Sequence, residues 1–268
     1  MEVIKTGLIS VLIIIAPIYI FSILFSAVEK YNSRLIMSMF GYRGIVVTGA
    51  IGTVIHEFSH MLMCVIFGHN IVEFSMFRPI KGSYDGVMGY VNHSYNKKNL
   101  YQNIGNFFIG VAPIIFGIVF LILFMWVLLP QEFNSVKSNF NRNMIYFENV
   151  RGFKDTINIY VSMIISLFEV LNPFKQTNII RYLIYLFVMY SISTHMDLSK
   201  EDLKNSKTGS VLFFSLLFIG FISLKLLNID IYFYALKISV SIMAFLSLGL
   251  IFSMITYTIT KIIDIFIM

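Results

Sequence analysis

The stretch "TVIHEFSH", Thr53–His60, decides how this chain is read. It interrupts an apolar run over residues 43–67 that is long enough to cross a bilayer. Each ionisable side chain in a spanning helix costs about 2.5–3.5 kcal/mol on insertion scales, so His56, Glu57 and His60 need a reason to be there. At helical spacing Gly49, Thr53, His56, His60 and Cys64 share one stripe. That stripe is small and polar, so it is expected to look into protein and not into lipid. A structural polar cluster linking helices is the plain alternative.

Around it the chain is strongly apolar. Of 268 residues, 57% are hydrophobic and 13% charged. Soluble domains carry about 25% charged residues, so the expectation is an all-α polytopic membrane protein forming a single domain. Apolar runs near 5–27, 43–67, 105–129, 178–195, 209–228 and 231–262 predict about six transmembrane helices. The first run is too long for a signal-peptide core and reads as a retained helix. Residues 28–43 and 130–154 read as loops. Over 155–172, Asn158, Ser162, Ser166 and Glu169 form one polar stripe, fit for an interface or a cavity wall.

Between the second and third runs, residues 68–104 are rich in Gly, Tyr, Asn and Val. Ile71–Phe77 and Val87–His93 flank "KGSYDG", which predicts a small β-hairpin. The net charge of +6 is spread over connecting segments, as suits anionic headgroups. With no basic block, no nucleic-acid partner is expected. Abundant Lys, Asn and Ile suggest an AT-rich bacterial genome, hence a bacterial cytoplasmic membrane. Oligomeric state is not legible.

The chemistry lies in the spacing. Residues four apart on a helix share a face, so His56 and His60 can offer two imidazole nitrogens to one tetrahedral Zn2+. Glu57 lies beside them, where its carboxylate can take a proton from a metal-held water whose pKa zinc lowers to about 7. This is the H-E-x-x-H arrangement. Zinc needs a third protein ligand. His195 stands first and Asp202 second, followed by Asp197, with Glu148, Glu169 and Asp85 behind; the region 193–209 holds the leading three. His195 also suits a helix C-terminus, and Asp202 also completes a capping box with Ser199. His69 and His93 read as loop surface residues, and Cys64 as a small core hydrophobe.

The membrane-embedded "HEFSH", the Gly-rich β-prone loop and "NIGNFFIGVAPIIFG" together resemble the site-2 protease family of membrane zinc metallopeptidases. The resemblance spans roughly residues 43–120. It implies Glu57 as catalytic acid/base, His56 and His60 as zinc ligands, and an edge strand that holds substrate by backbone pairing. "GYVNHS" is the segment for that role, with Gly89, Tyr90, Val91 and Asn92 as substrate-binding residues. Asn106, Gly110, Pro113 and Gly117 would form a close-packing face. The family draws its third ligand from an Asp-Gly after an NPxP-like stretch. This chain has "LNPF" at 171–174 with no following Asp-Gly; Asp85-Gly86 lies in the loop. The implied substrate is a membrane-spanning or membrane-associated peptide, such as an anchored regulator or a leader remnant, met in the lipid bilayer. A transporter, or a peptide-export or immunity subunit with an ion-binding histidine cluster, is the reading from another class.

Overall fold

The computed structural model describes residues 2–147, 153–170, 172–229 and 231–267. It is predominantly helical. The long elements are α1 (Glu2–Ile66), α3 (Leu100–Leu128), α7 (Lys200–Leu226) and α8 (Ile231–Ile267), and each is long and apolar enough to cross a membrane. Helices α4 (Pro130–Phe147), α5 (Phe153–Val170) and α6 (Ile179–Ser193) are shorter.

Helix α1 carries both of the first two apolar runs. A straight helix of that length would reach about 98 Å. The chain breaks it at Gly41, where φ is 60° and ψ −160°, a conformation open to glycine. The segment 28–40, expected to be a loop, therefore continues the helix. Its charges do not prevent this: Ser33 Oγ donates to Glu29 Oε1 at 2.7 Å one turn away, and Glu29 and Asn32 are buried.

The segment expected as an exposed loop over 130–154 is likewise helix from Pro130 to Phe147. Two of its asparagines bond along and across helices. Asn143 Nδ2 donates to Asn139 Oδ1 at 2.6 Å and to Ser162 Oγ at 3.2 Å. The polar stripe of α5 lines a small groove with Asn139, so Asn158, Ser162, Ser166 and Glu169 form a cavity wall.

The hairpin is present. Strand β1 (Asn70–Ser75) pairs antiparallel with β2 (Tyr90–Ser94), with an irregularity between Ile71 and Glu73. "KGSYDG" supplies a one-turn helix α2 (Gly82–Asp85) that ends on Gly86 in the left-handed region. Among the described residues β2 has no second strand neighbour, so one edge is unpaired.

Asparagine and serine start the helices that frame the site. Asn99 accepts from Tyr101 N and Gln102 N at the head of α3, and Asn178 accepts from Arg181 N at α6. Ser199 and Asp202 form a reciprocal capping box on α7. Each such cap stabilises by about 1 kcal/mol. The core is built from α1, α3, α6 and α8, with Phe25, Leu121, Met125, Tyr185, Met189 and Phe252 fully enclosed. The small face of α3 packs as its sequence suggests. A Cβ on Gly110 would meet Asp202 O at 2.5 Å, and one on Gly117 would meet Met196 Cγ at 2.7 Å.

Candidate metal centre

The site is assembled from three helices and one strand. The second half of α1 carries His56, Glu57 and His60; Glu57 and His60 are buried and His56 nearly so. The head of α7 carries Asp202. Its carboxylate lies 3.2 Å (Oδ1) from His60 Nε2 and 3.7 Å (Oδ2) from His56 Nε2. These three residues form a group that could hold a metal ion.

Main-chain carbonyls orient both imidazoles. His56 Nδ1 donates to His195 O at 2.9 Å, and His60 Nδ1 donates to Ile109 O at 2.9 Å. A carbonyl only accepts, so each Nδ1 carries the proton and each neutral ring keeps its lone pair on Nε2. The two Nε2 atoms face one another at 3.1 Å. Two lone pairs and a carboxylate thus converge on one point with no proton of their own to share. A cation at that point would meet all three donors. Neighbouring nitrogens around tetrahedral zinc stand about 3.3 Å apart, given Zn–N bonds near 2.05 Å. The donor set therefore fits such an ion.

Both carbonyls are ones that the helical ladder leaves free. His195 lies just beyond the end of α6, where terminal carbonyls lack partners. Ile109 lies inside α3, but Pro113 follows four residues later and has no N–H to give it. In the sequence Pro113 stands out only as part of the close-packing face of α3. Its missing donor is the signal that marks Ile109 O as available to His60.

The sequence placed His195 first as third ligand. The structure brings Asp202 to the two imidazoles instead, and His195 acts through its main chain. Its ring lies against Gly49, and its Cβ would stand 2.9 Å from a Cβ on Gly52, so two glycines of α1 make room for it. Asp202 also keeps its capping role: Oδ2 accepts from Ser199 N at 2.9 Å. Asp197 lines the cavity beside the site but does not join the group. Glu169 faces the groove of α5, and Asp85 pairs with Arg78 at 2.7 Å at the hairpin tip. Glu148 lies outside the described residues.

The group opens into a cavity of about 800 Å³. Thr53 and Glu57 line it from α1, and Gly89, Tyr90, Val91 and Asn92 line it from the β2 side. Gly89 approaches so closely that a Cβ there would meet Glu57 Cγ at 2.6 Å. Glu57 and the unpaired strand thus face the same space.

His69 and His93 are not the surface residues that the sequence suggests. His69 is 5% exposed and His93 half-buried, with their Nδ1 atoms 3.0 Å apart. Burial disfavours the protonated form of both rings and lowers their pKa values, that of His93 to about 4. Cys64 is fully enclosed beside them, a core residue as read but in polar company.

No family model, curated protein or solved structure matches the chain.

Proposed function

We propose that this protein is a membrane-embedded zinc metallopeptidase that hydrolyses peptide bonds in membrane-anchored or leader-type peptides, a divergent relative of the site-2 proteases. One observation carries the reading: the Nε2 lone pairs of His56 and His60 and the carboxylate of Asp202 converge beside Glu57 at the wall of a cavity. On this reading α1 crosses the bilayer on both sides of Gly41, and α3, α6, α7 and α8 complete six crossings.

Zinc held by His56, His60 and Asp202 would polarise a peptide carbonyl and bring the pKa of water to about 7. The chain's own groups do the rest. Glu57 accepts a proton from the attacking water at a carboxylate oxygen and returns it to the leaving amide nitrogen. His195 O and Ile109 O keep both imidazoles as Nδ1–H tautomers, so Nε2 stays available. A helical substrate hides its carbonyls in its own ladder, so the scissile segment must be extended. The free edge of β2 suits an extended peptide, which would pair along Gly89–Asn92 and lay its carbonyl towards Glu57.

Glu57→Gln tests this. The purified protein is incubated in liposomes with single-span and leader peptides, and products are read by mass spectrometry. The variant is expected to keep its zinc and lose cleavage by about 10²-fold or more, the range for a positioned general base. Undiminished cleavage in Glu57→Gln, or no cleavage by zinc-loaded wild type, overturns the reading. Ion flux surviving Glu57→Gln would favour a transporter.

A further inference from the structure

Cys64, His69 and His93 form a second cluster of donors one helical turn beyond His60. Each offers one ligand atom, and the three atoms lie within 4.8 Å of one another. They come from separate places: Cys64 from the last turn of α1, His69 from the turn after it, and His93 from β2.

The local chain builds this convergence. Gly68 has φ 67°, and His69 N donates to Cys64 O at 2.8 Å, so the chain turns back over the helix end. The strand register then sets His93 opposite Ile71, two residues from His69. His69 Nε2 donates to Gln102 O at 2.8 Å, which leaves the lone pair on Nδ1, aimed at His93 Nδ1. A carbonyl on the far ring nitrogen is the support that metal-ligating histidines commonly have. Tyr95 stacks on the His69 ring at 5.0 Å and holds its plane.

We infer that Cys64, His69 and His93 bind a second divalent cation of the zinc type, which fastens the root of the hairpin to the helix carrying HExxH. One thiolate and two imidazoles suit a borderline-soft ion. Around tetrahedral zinc, nitrogens stand about 3.3 Å apart and sulfur about 3.6 Å from nitrogen, within reach of this cluster. A metal-bound thiol is deprotonated outright. His93 and Tyr95 line the cavity, so a water can complete the tetrahedron. Cys64 follows His60 by four helical residues, about 6 Å along α1, so the two donor groups are separate sites on one helix. The inference does not depend on proteolysis.

Cys64 is the sole cysteine, so any thiolate–metal signal reports this site alone. Full-length protein in detergent is loaded with Co2+ and scanned for thiolate-to-cobalt charge transfer in the near ultraviolet. Zinc content per chain is measured in parallel, and helix content by circular dichroism. Wild type is expected to show the band and two zinc ions. Cys64→Ser is expected to lose the band, and both Cys64→Ser and the half-exposed His93→Gln to fall to one zinc with helix content unchanged. His60→Ala, which opens the first group, is expected to keep the band. Cobalt uptake without the band, or one zinc in wild type unchanged in Cys64→Ser, shows a hydrogen-bonded histidine pair and overturns the site. Loss of the band in well-folded His60→Ala joins the cysteine to a single centre and overturns it equally.

Discussion

His60 takes the carbonyl of Ile109, which α3 leaves unbonded because a proline stands four residues further on. The imidazole is oriented by a defect in a neighbouring helix. Pro113→Ala restores an N–H that competes for Ile109 O. Zinc affinity, measured by competition with a chelator, is expected to fall about tenfold, the low end for a lost supporting partner, with helix content kept. Unchanged affinity would show that packing alone sets the ring.

Asp202 and His195 make opposite forecasts. Asp202→Asn keeps the shape and much of the capping box but removes the charge facing both Nε2 atoms. It is expected to lose zinc while the fold stays within about 1 kcal/mol of wild type by denaturant titration. His195→Ala keeps the main-chain oxygen that holds His56, so zinc is expected to remain. If the histidine variant empties the site and the aspartate variant does not, the third ligand is His195.

Gly89 leaves no room for a side chain beside Glu57. Gly89→Ala places a methyl against Glu57 Cγ and against Met76 O, at 3.0 Å from the latter. The carboxylate must move. Cleavage is expected to drop by about 10²-fold with zinc content unchanged, since 1 Å of misplacement costs that much. Wild-type turnover in this variant would separate Glu57 from the reaction.

Asp85 gives the hairpin tip an acid sensitivity. The N–H of Val87, then the Arg78 guanidinium, hold its carboxyl below the usual 3.8. A depressed folded value means that this support is complete above 3.8 and is lost as pH falls through the folded value. Amide exchange at Val87 is expected to accelerate, relative to its intrinsic rate, between roughly pH 5 and roughly pH 2.5. Asp85→Asn is expected to exchange fast at both. A flat wild-type profile would remove the carboxylate from the loop's support.

What the sequence showed and what it hid follow from distance along the chain. The HExxH face, the capping box at Ser199 and Asp202 and the hairpin are local patterns, read by spacing alone. Asp202 has two readings, as a cap and as a ligand, and the fold sets its one carboxylate at the head of α7 and beside both imidazoles. His69 and His93 looked like loop residues because nothing nearby marks them as partners; the Gly68 turn and the strand register bring them together. The segments 28–40 and 130–147 looked like loops because their charges and asparagines read as solvent-facing. Some of these polar groups instead bond one turn away or on a neighbouring helix, as Ser33 does to Glu29 and Asn143 to Ser162.

Asp202 caps the start of α7 and meets two histidines made much earlier in synthesis. At roughly 5–20 residues per second, the ribosome needs on the order of ten seconds to pass from the histidine pair to this aspartate. During that interval the newborn chain offers only two of its three donors. The carboxylate that starts α7 also closes the donor set, so the hydrolytic activity proposed for this chain would stay silent until the later helices enter the membrane. On that proposal, the order of synthesis itself would delay assembly of the site.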